Sequence, residues 1–287
     1  MNRPTSLPRA AGQGAHEFAF GDADFEAIRC LVKETTGISL GEAKRALVYG
    51  RLARRLRALH IESFAEYRDL LASDEEEMVE FRNALTTNLT AFFREPHHFD
   101  FLRDRVLLPA AADRRISRRL RIWCSACSTG EEPYSIAMTV QESIPDSRAW
   151  DIKILATDID SQVLEHARQG LYTADRVRHL DPRRIATHFR EQRRGEANVL
   201  QIAPEIARFV VFKPLNLIES LPMNGPLDVI FCRNVVIYFE KDTQRELFAR
   251  MAKLQRRGDW LFLGHSESLF KVSEDYSLVG KTVYRRN

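Results

Sequence analysis

Cysteine is scarce in this sequence, long hydrophobic runs are lacking, and charge of one sign does not prevail. Four cysteines among 287 residues are too few for a disulfide framework, so we expect a reducing, cytoplasmic environment. No apolar run approaches the roughly 20 residues of a membrane span, and we expect no insertion into a membrane. The net charge of +3 disfavours a strongly basic nucleic-acid binder, and we expect no nucleic-acid partner.

Two of the cysteines, Cys124 and Cys127, form a lone C-x-x-C pair. A metal or redox function needs such a pair at a helix start or beside a second pair, and the sequence offers neither. Cys30 and Cys232 lie far away in the chain. The sequence therefore predicts no metal site and no redox function.

Helical spacing of apolar residues dominates the first third of the chain. The spacing begins near Asp22, and Gly37 is expected to end the first helix. Ser63 and Asp74 are expected to cap later helices. These further helices are predicted at about 42–59, 63–72 and 74–86. The predicted segments are a disordered tail at 1–16, an all-helical domain at 17–93 and a basic connecting helix at 94–119.

From Leu120 onward, short apolar runs alternate with helical segments, which is typical of a doubly wound α/β sheet. Gly280 and Lys281 are predicted to form the turn of an antiparallel hairpin at the sheet edge. A polar, arginine-rich stretch at about 171–207 breaks the alternation and is interpreted as an insertion. The predicted strands are 120–124, 152–156, 209–212, 229–232 and 260–263, within a domain at 120–287.

The turn after the first predicted strand is built from small residues, which let a ligand approach the backbone closely. It is not a G-x-G-x-x-G loop and has no lysine after its glycine, so a Walker-type phosphate loop is disfavoured. Pro133 suits the first position of the following helix. Glu131 and Glu132 favour a ligand that carries positive charge, such as an ammonium or a sulfonium.

The second predicted strand ends at Asp158, where an acidic residue is the usual partner of ribose hydroxyls. A carboxylate can accept hydrogen bonds from both vicinal hydroxyls. The alternative is that Asp158 caps the next helix, although Asp160 is the better candidate for that cap.

Four segments of the sequence are unusual: TTNLTAFFRE at 86–95, STGEEPYS at 128–135, FCRNVVIYF at 231–239 and GHSE at 264–267. Together they resemble the CheR family of chemoreceptor methyltransferases. The resemblance implies a small all-helical N-terminal domain, followed by a class I, Rossmann-like methyltransferase domain with an inserted small β-subdomain. It also implies S-adenosylmethionine as cofactor and S-adenosylhomocysteine as product.

Specific positions are implied by the same resemblance. Asp158 would hold the ribose, and Glu131 or Glu132 would hold the methionine ammonium. Arg94 and Tyr238 match the family positions nearest the transferred methyl group, although Arg94 could instead complement a helix end and Tyr238 could be a core residue. The full implied cofactor set is Asn88, Thr90, Arg94, Glu131, Glu132, Asp158, Asn216, Leu217, Arg233 and Asn234.

A basic face on the second predicted helix is the candidate docking surface. A solvated surface is the ordinary interpretation of such a face. The family resemblance favours docking to the acidic helix bundle in the cytoplasmic signalling domain of a chemoreceptor. The segment 190–196 holds one glycine, unlike the glycine-rich loop of peptide-binding family members, so we expect independence from a C-terminal receptor tether. The docking residues are Arg51, Arg54, Arg55 and Arg57.

The implied reaction is the methylation of glutamate side chains to γ-methyl esters. Two alternatives remain at the level of sequence. One is a methyltransferase that acts on nucleic acid or on a small molecule, although no Asn/Asp-Pro-Pro-Tyr motif is present. The other is an adaptor that senses the cofactor without turning it over.

Overall fold

The structure is a computed structural model that describes residues 17–113, 117–144, 146–195 and 197–287, and the predicted tail at 1–16 lies outside this part. The helices are α1 (Asp22–Thr36), α2 (Arg45–Leu59), α3 (Phe64–Leu71), α4 (Glu75–Leu85), α5 (His97–Phe101), α6 (Leu108–Ala112), α7 (Glu131–Ser143), α8 (Ser161–Gln169), α9 (Ala174–Val177), α10 (Pro182–His188), α11 (Pro204–Ala207) and α12 (Lys241–Lys253). The strands are β1 (Arg119–Cys124), β2 (Asp151–Asp158), β3 (Leu171–Thr173), β4 (Phe189–Arg194), β5 (Ala197–Ile202), β6 (Val210–Pro214), β7 (Val229–Cys232), β8 (Trp260–Leu263), β9 (Tyr276–Leu278) and β10 (Val283–Arg286). Within these described ranges, no helix combines the length and the apolar character that crossing a bilayer requires.

Helices α1 to α4 form the N-terminal part, and local capping fixes three of their ends as the sequence predicts. Gly37 ends α1 with a φ of 76°, a conformation that favours glycine. The side chain of Ser63 accepts the N–H of Glu66 at the start of α3. The side chain of Asp74 likewise accepts two N–H groups in the first turn of α4. The apolar faces of these helices meet in one buried core.

The predicted connecting helix at 94–119 is shorter and less regular than expected. Helix α5 passes into a π-helical segment at Leu102–Leu107, and α6 then ends at Ala112. Pro109 lies in the first turn of α6 and lacks an N–H, so regular α-helical hydrogen bonding cannot run unbroken through this region.

A seven-stranded sheet with the order β6-β2-β1-β7-β8-β10-β9 forms the second part. Its first five strands are parallel, and β10 pairs antiparallel with β8 and β9, which confirms the predicted edge hairpin. The chain runs outward from β1 to β2 and β6 and then returns to β7 on the other side of β1. This change of direction creates a crevice at the carboxyl ends of β1 and β7, where ligands bind in such folds.

The start of α7 differs from the prediction. Pro133 was expected at the first helical position, but α7 begins at Glu131, and Pro133 is its third residue. Gly130 takes the N-cap position with a φ of 98°, and an added Cβ there would lie 2.8 Å from the Tyr172 hydroxyl. The turn is therefore tighter than a proline-led start would make it, which brings both glutamates into the first turn of α7.

The arginine-rich stretch at 171–207 contains a separate three-stranded antiparallel sheet with the order β3-β5-β4. Tyr172 on β3 and Phe189 on β4 are buried and pack around the ring of Phe92. This small sheet thus contacts the segment that joins the helical part to the large sheet. The two-part architecture agrees with the predicted fold class.

Candidate functional site

A cavity of about 840 Å³, including its open mouth, lies at the carboxyl ends of β1, β2 and β7. Both parts of the chain contribute to its wall, because the segment between α4 and α5 crosses it. The lining residues include Ile38, Thr86, Asn88, Thr90, Arg94, Ser125, Ser128, Glu132, Asp158, Leu215, Asn216, Leu217, Arg233, Asn234, Tyr238 and Phe239.

The structure brings ten of the eleven predicted catalytic and cofactor residues to this one cavity. Glu131 is the exception, because it is fully buried beside the small sheet. There it pairs with Arg176 and accepts a 2.6 Å hydrogen bond from the Thr129 hydroxyl. Successive residues of a helix point about 100° apart, so only one of the adjacent glutamates can face the cavity. That residue is Glu132.

Asp158 ends β2 with its carboxylate on the cavity wall and 8% of the residue exposed. Burial raises its pKa to about 6, although backbone N–H groups of Asp160 and Ser128 favour the ionised form. The two oxygens accept these N–H groups at 3.0 and 2.8 Å, respectively. Each carboxylate oxygen has a further lone pair, so Asp158 can still accept from a ligand.

Glu132 and Arg233 form a buried ion pair at the base of the cavity. Glu132 also accepts a hydrogen bond from the Cys124 thiol at 3.1 Å. Arg233 donates to the carbonyl of Arg94 at 2.6 Å and lies 3.3 Å from Glu95. Two carboxylates therefore surround one guanidinium, and this cluster keeps a net negative charge for a cationic ligand.

The joining segment, residues 86–90, is fastened to the sheet by Asp160. One oxygen of Asp160 accepts from the Thr86 hydroxyl at 2.8 Å and from the Asn88 amide at 2.7 Å. Its other oxygen caps α8, as the sequence predicts. The hydroxyl of Ser128 donates to the Asn88 carbonyl at 2.9 Å. The cap could be predicted from the sequence but this second role could not, because the partners lie more than 70 positions away.

Backbone strain concentrates around the site. Phe93, Glu95, Ser128 and Asn234 have φ values between 48° and 59°, which non-glycine residues adopt rarely. Such conformations persist where the surrounding structure fixes them, and they cluster at functional sites. Arg94 lies between two of them, is half-buried, and donates to the Leu89 carbonyl at 2.9 Å.

The opposite wall is mostly apolar. Leu215, Leu217 and Phe239 line it together with Ile38 from the end of α1. Asn216 donates its amide to the Thr35 carbonyl at 2.9 Å and so ties this wall to α1. Apolar surface of this kind suits the faces of a planar base.

One other polar cluster adjoins the cavity. Glu95, His97 and His98 place three potential metal-binding atoms within 4.8 Å of one another, an arrangement that was not predicted from the sequence. Arg233 already balances the charge of Glu95 at 3.3 Å, and the pKa of His98 is lowered to about 3 by burial and then by Arg233. The pair Cys124 and Cys127 is a separate case. Burial raises the pKa of both thiols well above the usual value, which disfavours their thiolate forms.

The four predicted docking arginines lie in different environments. Arg55 pairs with buried Glu77 of α4. Arg51 donates to the carbonyl of Ala84 in the last turn of α4 and to that of Thr86, the residue after this helix. Both are half-buried. Arg54 and Arg57 are exposed, and Arg57 lies 3.0 Å from Glu17. The structure thus gives two of the four a clear internal role.

Two family models match the chain. The CheR methyltransferase all-alpha domain matches residues 23–86, and the CheR methyltransferase SAM binding domain matches residues 88–285. The Chemotaxis protein methyltransferase 2 of Pseudomonas aeruginosa is 45% identical over 284 residues, covering 98% of this chain and 99% of that protein. The Chemotaxis protein methyltransferase of Escherichia coli (strain K12) is 42% identical over 276 residues, covering 95% and 93%.

These matches confirm the resemblance inferred from the four sequence segments, and the boundary between the matched domains falls at the segment that crosses the cavity. The chain belongs to the CheR family of S-adenosylmethionine-dependent chemotaxis protein methyltransferases.

Proposed function

We propose that this protein transfers a methyl group from S-adenosylmethionine to glutamate side chains in the cytoplasmic signalling domain of chemoreceptors. The products are a glutamate γ-methyl ester and S-adenosylhomocysteine, and the reaction serves chemotactic adaptation in the cytoplasm. One observation carries the proposal: Glu132 and Asp158 both line the cavity at the strand ends of a CheR-family domain.

The donor set fits the cofactor. Asp158 would accept hydrogen bonds from the ribose hydroxyls, and Glu132 would attract the methionine ammonium. Leu217 and Phe239 offer apolar surface for the adenine. Asn88, Thr90, Asn216, Arg233 and Asn234 complete the proposed set.

The substrate carboxylate is already a nucleophile, because a glutamate with a pKa of about 4.3 is ionised at neutral pH. No general base is needed. Bound S-adenosylmethionine supplies a methyl group made electrophilic by the positive sulfur. Arg94 and Tyr238 would orient the incoming carboxylate by hydrogen bonds, and alignment alone lowers such barriers by several kcal/mol.

We assign separate tasks to the parts of the chain. The helical domain at 17–93 would dock the receptor, residues 94–119 would connect, and 120–287 would hold the cofactor and the chemistry. Arg51, Arg54, Arg55 and Arg57 form the proposed docking face, and opposite charge would steer encounter with an acidic helix bundle. The segment 190–196 holds one glycine, so we propose that docking needs no C-terminal receptor peptide.

Calorimetry with S-adenosylhomocysteine, followed by incubation of receptor signalling domains with methyl-tritiated cofactor, tests this function. We expect saturable heat and base-labile counts on the receptor, because carboxyl esters hydrolyse in base. Base-stable counts would favour methylation of nitrogen and would contradict the proposal. Binding without turnover on any receptor domain would favour a cofactor-sensing adaptor instead.

A further inference from the structure

Glu267 is a buried carboxylate that the proposed chemistry does not use. It lies just after β8, and 4% of the residue is exposed. Its two oxygens accept five backbone N–H groups from two separate loops. The donors are Val235, Val236 and Ile237 to Oε1 at 2.9, 2.9 and 3.3 Å, and Asn234 and Gly264 to Oε2 at 2.9 and 2.6 Å.

Four of these donors belong to one loop, residues 234–237. This loop follows β7 and includes the first two residues of a short helical turn at Val236–Tyr238. Asn234, Val235 and Tyr238 line the cavity. Asn234 has a φ of 58°, so the loop adopts a costly backbone conformation at its first residue. The carboxylate of Glu267, which follows β8, therefore accepts the backbone N–H groups of all four residues of the loop.

Arg233, the residue before this loop, is held by groups outside it, although one of them, Glu95, also accepts a hydrogen bond from the Asn234 amide at 3.3 Å. Its partners are Glu132, Glu95 and the carbonyl of Arg94, and none of them belongs to the loop. Disturbing Glu267 should therefore move the Tyr238 side of the cavity while the Glu132 side stays in place.

Space around the carboxylate is tightly limited. A Cβ added at Gly264 would lie 2.3 Å from the Asn234 side-chain nitrogen and 2.9 Å from Oε2 of Glu267. The backbone of Gly264 thus approaches the loop directly, and the carboxylate bridges the two strands' ends. Only a side chain with two acceptor oxygens can serve donors on both sides.

We propose that Glu267 is a positioning residue for methyl transfer, which holds the loop at 234–237 so that Tyr238 and Asn234 meet the substrate and cofactor. This inference rests on the proposed function. Glutamine at this position keeps the size but offers one acceptor oxygen, and its NH2 group would face N–H donors. Aspartate keeps the charge but is one methylene shorter.

The test compares Glu267→Gln with wild-type protein in steady-state methylation and in calorimetry with S-adenosylhomocysteine. We expect kcat to fall about 100-fold, since misplacement of a reacting group by about 1 Å has this effect. The Kd for S-adenosylhomocysteine should rise less than about fivefold, because Glu132 and Asp158 remain in place. Glu274→Gln, the same change at an exposed site in the following loop, should leave both values unchanged.

A second variant separates positioning from folding. Glu267→Ala leaves a space that formate can fill, and formate should restore part of kcat whereas chloride at equal ionic strength should not. Unchanged kcat in Glu267→Gln would overturn the inference. So would equal losses of kcat and cofactor binding in both variants, with a collapsed melting transition and no rescue. Failure of the wild-type protein to methylate any receptor domain would instead contradict the proposed function.

Discussion

Buried acidic side chains in and beside the cavity differ in their partners and in how burial affects them. Asp158 is buried at a strand end, and the loss of hydration raises its pKa to about 6 against the opposing effect of its backbone donors. Glu131, one residue before Glu132, is committed to Arg176 and Thr129. Of two adjacent glutamates, Glu132 thus lines the cavity and Glu131 is bound internally, because they point in different directions from the helix.

The raised pKa of Asp158 predicts pH-dependent binding of S-adenosylhomocysteine. Protonation removes a charged acceptor for the ribose hydroxyls, so affinity should fall as pH drops through about 6. The fall should reach up to about tenfold per pH unit below the pKa. Calorimetry across this range measures it, with circular dichroism to verify folding. In Asp158→Asn, binding should be weak and nearly independent of pH, and a persisting pH dependence would assign the titration to another group.

Replacement of Arg94 is the second test at the residue scale. Arg94→Ala should lower kcat about 100-fold, because the guanidinium would no longer orient the substrate carboxylate. The melting temperature should change little, since Arg94 makes one hydrogen bond to Leu89 and is half-buried. Arg105→Ala, on an exposed stretch of the π-helical segment, is the matched control. Near-wild-type activity of Arg94→Ala would remove Arg94 from the proposed mechanism.

Helix α2 combines internal and external roles on neighbouring positions. Arg51 and Arg55 face α4, where they compensate the helix end and the buried Glu77. Arg54 is exposed, and its side chain donates a hydrogen bond to the Gly50 carbonyl at 3.3 Å. The arginines of α2 look alike in the sequence, but packing against α4 partly buries Arg51 and Arg55 and leaves Arg54 exposed.

This division predicts different outcomes for two charge reversals on α2. Arg54→Glu should raise the receptor KM about tenfold at low salt and leave the Kd for S-adenosylhomocysteine unchanged. Arg51→Glu should also weaken cofactor binding, because Arg51 holds the Thr86 carbonyl at the start of the segment that lines the cavity. Receptor titrations at two salt concentrations, with calorimetry on each variant, measure both effects. Equal cofactor loss in Arg54→Glu would contradict the assignment.

At the scale of the whole molecule, the two domains share one binding cavity. Asp160 bonds Thr86 and Asn88, and Asn83 of α4 exchanges hydrogen bonds with Ser161 at the start of α8. A receptor docked on the proposed face of the helical domain would therefore contact a domain that also contributes residues to the cavity.

Independence from a receptor tether is the prediction at this scale. Removing the C-terminal peptide from a receptor should change kcat/KM for methylation by less than about twofold, since no gain in effective concentration would be lost. Parallel assays on full-length and truncated receptors provide the measurement. A drop of tenfold or more, together with measurable binding of the free peptide, would show that the small β3-β5-β4 sheet tethers the substrate.

Local signals in the sequence determined much of the fold. Capping residues Ser63, Asp74 and Asp160 marked helix starts, and apolar runs marked the strands, because both depend on neighbours within a few positions. The π-helical segment was not predicted, and we attribute it to Pro109 in the following helix. The start of α7 at Gly130 was not predicted either, because it depends on close packing against Tyr172.

The sequence by itself determined the family, the cofactor and ten of the residues that line the cavity, since long motifs and acidic residues at strand ends indicate them directly. Tertiary structure alone decided which of Glu131 and Glu132 faces the cavity, which arginines of α2 stay exposed, and which backbone groups Glu267 binds. The physical reason is that these outcomes depend on helix rotation and on partners distant in the chain. A sequence motif can identify such a residue, but its contacts with residues distant in the chain follow only from the tertiary structure.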